Sequence, residues 1–326
     1  MTQVSIVIPV WNRAELTRPC LDALRATVDF RAHELIVVDN HSTDDTPALL
    51  AGHALAPRVI TNPENFGFAR ACNQGAAAAH GEYVLFLNND TVTEPGWLEP
   101  LVEVLRAEPA VAAVGSRLLY PESRLIQHAG IAIDLLRGAI QPYHLWWLFP
   151  ADWPAANVRR DVIAVTAACV LVRRSVLDQL GGFDESYRNG FEDVDLCLRL
   201  GEKRHRVVYC PQSVVLHYES MTEGRALHED ANFALFRERW SDQLGDRVSS
   251  RRDLILAAFD EVFRIKESGA RFVARIDRRL FRYNLRPPVI QRFRSRVLLE
   301  VVSLGWRLRH VVSWRRAARR KQELAR

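Results

Sequence analysis

Val4-Ser5-Ile6-Val7-Ile8-Pro9-Val10-Trp11-Asn12 is a short β-branched run closed by proline and polar residues, and it opens a series of such runs. The pattern predicts a strand over Ser5–Ile8, a helix near Arg13–Thr27, a strand over Leu35–Val38 and a helix near Asp44–Ala51. A strand over Arg58–Ile60, a helix near Phe68–Ala79 and a strand over Tyr83–Leu87 follow. Strands that alternate with helices indicate βαβ units, hence a parallel sheet and a doubly wound α/β domain. In such sheets ligands bind outside the carboxyl ends of the strands. Pro9 to Arg13, Asp39 to Ser42 and Asn88 to Asp90 all fall at those ends, so their polar residues are expected to converge on one rim.

Farther along, a helix near Trp97–Ala107 leads to a strand near Val111–Gly115, after which the pattern becomes irregular. An aromatic stretch, Tyr143-His144-Leu145-Trp146-Trp147-Leu148-Phe149, is closed by Pro150 and followed by Trp153; it reads as partly buried, with a place in an acceptor wall or lid. A strand near Val162–Val172, a helix near Ser175–Gln179 and two strands, Arg206–Tyr209 and Ser213–Leu216, restore order. Between them Gly181-Gly182-Phe183-Asp184-Glu185 runs toward Asn189-Gly190-Phe191-Glu192-Asp193-Val194-Asp195, a loop-to-helix junction with three carboxylates in the first helical turn. Carboxylates there interact favourably with the helix dipole and cap free amides, and the same arrangement can hold a general base. Asp195, two positions beyond Asp193, lies about 200° around the helix and is expected to be structural.

With 326 residues and 48% apolar composition, the chain can bury a full core in one large domain plus an appendage, or in two domains. It opens almost at once into the first apolar run, so the expectation is no export and a cytoplasmic location. Five widely spaced cysteines, Cys20, Cys72, Cys169, Cys197 and Cys210, argue against a disulfide framework or a zinc site and for reduced, buried thiols. Charge divides sharply at Asp246. Residues 1–246 hold 22 Lys and Arg against 32 Asp and Glu, net −10, whereas residues 247–326 hold 22 against 7, net +15. Within that tail, Val297, Val301, Leu304, Leu308 and Val311 share a helical face, flanked by Trp306, Trp314 and several arginines. Interrupted by charge, this segment cannot span a bilayer but fits an interfacial helix beside anionic lipid; a helix packed on the main domain or on a second subunit fits equally.

Six segments in order resemble glycosyltransferase family 2, the inverting, sugar-nucleotide-dependent transferases, especially its bacterial rhamnosyltransferase-like members. They are Val4 to Asn12, Ile36-Val37-Val38-Asp39-Asn40-His41-Ser42, Asn65-Phe66-Gly67-Phe68-Ala69, Asn88-Asn89-Asp90, Glu192-Asp193 and Val214-Val215-Leu216-His217, and the resemblance covers roughly residues 4 to 240. It implies a GT-A fold: a Rossmann-like doubly wound domain with a mostly parallel central sheet over 1–245, divided into a nucleotide-sugar-binding half (1–115) and an acceptor and catalytic half (116–245). Residues 246–326 form the basic helical extension. The implied donor is a UDP- or dTDP-sugar, with rhamnose or another hexose as cargo, and the acceptor is a glycan or a lipid-linked hydroxyl in cell-surface polysaccharide synthesis.

Departure of a doubly charged pyrophosphate requires positive charge beside it, usually a divalent cation. The family's Asp-x-Asp motif here begins with Asn88, so Asp90 is its only carboxylate, and the resemblance adds His217 as the imidazole ligand of Mn²⁺ or Mg²⁺. It places Asp39 on the base of the nucleotide. Pro9, Trp11, Asn12 and Arg13 lie at the neighbouring strand end, and Asn89 joins the same donor rim. Gly67 permits close backbone approach where a helix N-terminus favours an anion, and Arg70 and Asn73 are expected near ribose or pyrophosphate. The acceptor hydroxyl must lose its proton as it attacks, which a positioned carboxylate accomplishes; the resemblance assigns that role to Asp193, with Glu192 orienting the acceptor. Thr166-Ala167-Ala168-Cys169 resembles a segment near the acceptor. Two other readings stay open at this point: a non-catalytic member that binds glycans or partners, suggested by Asn88, and a nucleic-acid-binding protein, suggested by the basic tail but opposed by the acidic body.

Overall fold

The computed structural model describes residues 2–136, 139–218 and 228–244. The basic extension and its amphipathic helix therefore lie outside the described residues. The first half follows the expected alternation: β1 (Val4–Val10), α1 (Ala14–Thr27), β2 (His33–Asp39), α2 (Thr46–Gly52), β3 (Arg58–Thr61), α3 (Phe68–Ala77) and β4 (Tyr83–Leu87). Next come β5 (Thr91–Thr93), α4 (Glu99–Ala107), β6 (Val111–Leu119), β7 (Ile126–His128), β8 (Ile131–Leu136), β9 (Ala139–His144) and a 3₁₀ turn over Pro154–Asn157. The described chain closes with β10 (Arg160–Asp161), β11 (Cys169–Arg173), α5 (Arg174–Leu180), α6 (Glu192–Glu202), β12 (Arg206–His217) and α7 (Glu229–Leu244).

The main sheet has the order β10-β12-β6-β11-β4-β1-β2-β3, with β5 on β12 and β7 on β6; β8 and β9 form a separate hairpin. β1 runs parallel to β2 and β4, β2 to β3, and β6 to β12, while β11 is antiparallel to both β4 and β6. Successive side chains along each strand point to opposite faces of the sheet. Val7, Ile36, Val38, Val84 and Phe86 join the small residues of α3 and the leucines of α6 on one face. Ile6, Ile8, Val37, Leu85 and Leu87 meet Leu21 and Leu24 of α1 and Leu101 and Leu105 of α4 on the other. Both faces are covered, which is what a doubly wound sheet requires. No helix among the described residues is long and apolar enough to cross a membrane.

Two predicted elements differ. The expected single strand over Val162–Val172 is a loop that follows β10 and then β11, because the loop's backbone is engaged elsewhere: Ile131 donates to the Ala164 carbonyl (2.7 Å) and Ala167 donates to the Asp193 carboxylate. The two strands expected over Arg206–Leu216 are one strand, β12. Its pairing with β6 shifts register between Cys210 and Val214. Pro211 falls within that irregularity, the place where a residue lacking an N–H interrupts a ladder least.

Candidate active site

The carboxyl ends of β1, β2 and β4 stand side by side, since Val10 pairs with Asp39 and Val7 with Phe86. A cleft opens above them. Pro9, Val10, Trp11, Arg13 and Leu16 line one side, Asn40, Asn65 and Phe68 a second, and Asn88, Asn89, Asp90, Asn189 and His217 the remainder. The rim is locked by short polar bonds: the Asn12 N–H donates to Ser42 Oγ (2.7 Å), Thr43 N–H to Asn12 Oδ1 (2.7 Å) and Ser42 N–H to Asp39 Oδ1 (2.9 Å). Asn12 and Arg13 have φ of 56° and 63°, a left-handed pair at the mouth of the cleft. Backbone in that region persists only where its surroundings over-determine it, and such residues cluster at functional sites. Arg13 also pairs with Glu15 at 2.8 Å.

Asn40 is the joint between the strand ends and the loop that leads into α3. Its Nδ2 donates to Asn65 Oδ1 and to the Gly67 carbonyl, and its Oδ1 accepts from Phe66 N–H and Asn62 Nδ2. Gly67 has φ +85°, and a Cβ there would meet no atom within 4 Å, so its requirement is conformational. Arg70, expected beside phosphate, is exposed with its guanidinium over the Phe66 ring at 3.9 Å. Asn73 lies outside the cleft. Its amide bonds both the N–H and the carbonyl of Phe183, and its Oδ1 sits where a Cβ on Gly182 would be, 2.3 Å away. Asp39 is 3% exposed and does not line the cleft.

Asp90 and His217 meet because β5 pairs antiparallel with β12, Thr91 opposite His217, and Tyr218 N–H closes the ladder on the Asp90 carbonyl (3.0 Å). His217 Nε2 stands 3.1 Å from Asp90 Oδ1 and 3.3 Å from Asn88 Nδ2, and its Nδ1 stands 2.6 Å from Gln127 Oε1. Asn88 Oδ1 is buried with no hydrogen-bond partner. An orphaned carbonyl oxygen, a carboxylate and an imidazole within one corner make an oxygen-nitrogen donor set suited to Mn²⁺ or Mg²⁺. No cluster of three or more His, Cys, Asp and Glu converges among the described residues, so water and diphosphate oxygens would supply the rest of the shell. Asn89 Nδ2 donates to Thr17 Oγ1 on α1 (2.8 Å).

The acidic junction adjoins this corner through Asn189, which lines the same cleft. Asn189, Gly190 and Phe191 have φ of 55°, 142° and 72°, so the chain enters α6 through three left-handed residues, and Asn189 Oδ1 accepts from Phe68 N–H (3.3 Å). Glu192 is 6% exposed and its Oε2 accepts from Gly190 N–H. Asp193 is half-buried; its Oδ2 accepts from Ala167 N–H (3.0 Å) and its Oδ1 from Val194 N–H (2.8 Å). The next residue, Ala168, accepts Asn88 N–H at its carbonyl (3.0 Å), so a single dipeptide joins Asp193 to the Asn88 motif. Asp195 points elsewhere: fully buried, it binds Arg199 Nε (2.7 Å), Trp240 Nε1 (3.1 Å) and Arg239 Nη1 (3.2 Å), the structural use expected of it.

Nearby, His128 is fully buried and its Nε2 accepts from Gly130 N–H (3.2 Å), which leaves the proton on Nδ1, 2.9 Å from His144 Nδ1. Burial, reinforced by His144 and His217, pulls His128 well below the usual imidazole range. Burial pushes the Cys20 thiol, under the Asn88 turn, up to about 12, and all five cysteines are buried and free, as read from their spacing. In the aromatic stretch Trp146, Phe149 and Trp153 pack on one another, whereas Trp147 is 54% exposed and donates to Tyr120 OH (3.0 Å).

Residues 5–181 match the model of the family described as glycosyl transferase family 2. The chain belongs to glycosyltransferase family 2. The matched span ends before α6, so Glu192, Asp193 and His217 lie beyond it. The O-antigen biosynthesis protein RfbC of Myxococcus xanthus is 34% identical over 250 residues, 75% of this chain but 20% of its own length. An N-acetylglucosaminyl-diphospho-decaprenol L-rhamnosyltransferase of Mycobacterium tuberculosis is 28% identical over 262 residues, 72% of this chain and 85% of its length. Among solved structures, GalNAc-T7 with UDP, GalNAc and Mn²⁺ superposes with a TM-score of 0.55 at 14% identity over 76% of this chain and 58% of that one, which shows the shared GT-A fold.

Sequence reading missed Asn40, Asn65, Phe68, Asn189 and Gln127. Asn65 and Phe68 stood within the segments it singled out, and Asn189 stood three residues before Glu192 at the start of the helix. Asn40 likewise stood within the segment Ile36 to Ser42, whereas Gln127 gave no signal of its own, because it acts through a partner 90 positions away.

Proposed function

We propose that this protein is an inverting, metal-dependent glycosyltransferase that moves a sugar from a UDP- or dTDP-sugar to a hydroxyl acceptor. The carrying observation is the dipeptide Ala167-Ala168, which ties the Asp193 carboxylate to the backbone of the Asn88-Asn89-Asp90 motif. A base and a diphosphate site held by one short backbone segment keep a fixed separation, as an in-line displacement needs. Asp193 accepts the acceptor proton while the acceptor oxygen bonds to the anomeric carbon and the bond from that carbon to the diphosphate oxygen breaks. Two N–H donors fix the Asp193 rotamer and leave each oxygen a further lone pair for this task. Asp90, His217 and the Asn88 carbonyl would hold Mn²⁺ or Mg²⁺, which would supply positive charge to the departing diphosphate.

Pro9 to Arg13 and Asn89 border the nucleotide, with Arg13 on the phosphate side. Asp39 spends Oδ1 on the Ser42 N–H and so braces the strand-end loop that borders the base. A rhamnosyl or other hexosyl donor and a glycan or lipid-linked acceptor of cell-surface polysaccharide are favoured by the names of the two relatives above. The exposed Trp147 offers a stacking face to such an acceptor. Residues 1–245 act as the catalytic domain, and the basic extension attaches it to anionic membrane.

A thermal-shift screen of UDP, dTDP and GDP with and without Mn²⁺, followed by calorimetry of the best ligand, tests the donor reading. Stabilisation by a uridine or thymidine diphosphate only when Mn²⁺ is present is the expected result. Equal stabilisation in the presence of a chelator would sink metal dependence.

A further inference from the structure

We infer that Gln127 is a positioning residue that fixes the tautomer of His217 and so aims the imidazole Nε2 lone pair at Asp90. The inference rests on the metal-site reading above but concerns a residue outside it. Gln127 sits on β7, 3% exposed, and meets His217 twice. Its Nε2 donates to the His217 carbonyl (3.2 Å), and its Oε1 lies 2.6 Å from His217 Nδ1. A carbonyl oxygen can only accept, so the amide nitrogen must face it and Oε1 must face the ring. Oε1 also can only accept, so Nδ1 carries the proton and, in the neutral ring, Nε2 carries the lone pair.

On the other side of the ring one neighbour agrees and the other competes. Asn88 Nδ2, a pure donor, stands 3.3 Å from Nε2. Asp90 Oδ1, a pure acceptor when ionised, stands 3.1 Å from that same nitrogen. Left to itself, an imidazole beside a carboxylate would place its proton between the two and block the cation position. Gln127 places the proton on the opposite nitrogen, so two lone pairs converge where a cation would sit. Outer partners of this kind typically change metal affinity by about 10–100-fold.

The test uses the full ¹⁵N-labelled chain freed of metal. Long-range ¹H–¹⁵N correlation, above the pH at which the ring is charged and with the signal assigned by its loss in His217→Ala, reads the tautomer directly. A His217 ring protonated on Nδ1 supports the assignment; protonation on Nε2 overturns it, and neither outcome needs a variant of Gln127. In Gln127→Leu the proton is expected to move toward Nε2 and Mn²⁺ dissociation, measured by electron paramagnetic resonance, to weaken about 10–100-fold. A folded Gln127→Leu with unchanged tautomer and unchanged Mn²⁺ affinity overturns the assignment. If the wild-type protein shows the Nδ1 tautomer yet binds no Mn²⁺, the metal-site reading fails while the role of Gln127 in orienting His217 stands.

Discussion

Replacing Asp193 by Asn removes the proposed base while keeping the side chain's shape, and the structure predicts two separable costs. The first is chemical. An amide cannot take the acceptor proton at neutral pH, and loss of a positioned general base slows turnover by about 10²–10⁴-fold. The second is structural, because Asp193 presents one oxygen to Ala167 N–H and the other to Val194 N–H. Asn supplies a single acceptor, so its amino group must confront one of these donors, at a cost of about 1–3 kcal/mol for the unsatisfied group. For a domain of this size that lowers Tm by roughly 2–4 °C per kcal/mol. Donor binding, which does not use this carboxylate, should remain within a few-fold of wild type. The assay is therefore threefold: calorimetric titration of the nucleotide with Mn²⁺, a melting curve, and single-turnover transfer at a temperature where both proteins are folded. Transfer by the folded variant at near wild-type rate would refute the assignment of Asp193 as base.

Asp90→Ala and His217→Ala should each weaken Mn²⁺-dependent nucleotide binding, Asp90→Ala the more severely as it removes the motif's only carboxylate; calorimetry showing no change in either would count against the site. Asp195→Ala takes a fully buried carboxylate from the mostly buried Arg199 and should cost about 3–5 kcal/mol in urea unfolding, and a loss below about 1 kcal/mol, the range of exposed pairs, would contradict its buried role. His128 stays neutral in the folded protein while the unfolded chain takes up a proton near pH ~6.5. Stability should therefore fall as pH drops below that value, by up to about 1.4 kcal/mol per pH unit, with no contribution above it. His128→Gln should flatten that slope, and parallel slopes for the two proteins would dismiss His128 as its source. Deleting residues 296–326 should release the protein from anionic vesicles with donor binding intact; unchanged sedimentation of a folded truncation would show that attachment lies elsewhere.

Much of the fold was legible because the hydrophobic period is local. The strand ends fell where the β-branched runs stopped, which alone gathered Pro9 to Arg13, Asp39 to Ser42 and Asn88 to Asp90 on one rim. Where backbone groups are claimed by distant partners, local pattern misleads: residues 162–168 look like a strand, yet Ala167 donates to Asp193 across 26 positions. Pro211 made β12 look like two strands because a bulge and a break share one residue signature. Asn73 reads as a polar residue of a helix beside the donor loop, and nothing local reveals that it is spent on Phe183, which approaches it across Gly182. Gln127 was invisible for the same reason, standing 90 positions from the histidine it orients.

The pairing of β5 with β12 joins two segments that leave the ribosome more than a hundred residues apart, since Thr91 sits opposite His217. Contacts of such sequence separation form late, after loop closure has been achieved elsewhere. The Asp90 and His217 corner is then among the last parts of the molecule to assemble, after the β1–β4 layer has local contacts enough to collapse. During refolding, acquisition of Mn²⁺-dependent nucleotide affinity should lag the recovery of far-ultraviolet ellipticity, and a nascent chain arrested before His217 has emerged would hold most of the sheet without the affinity.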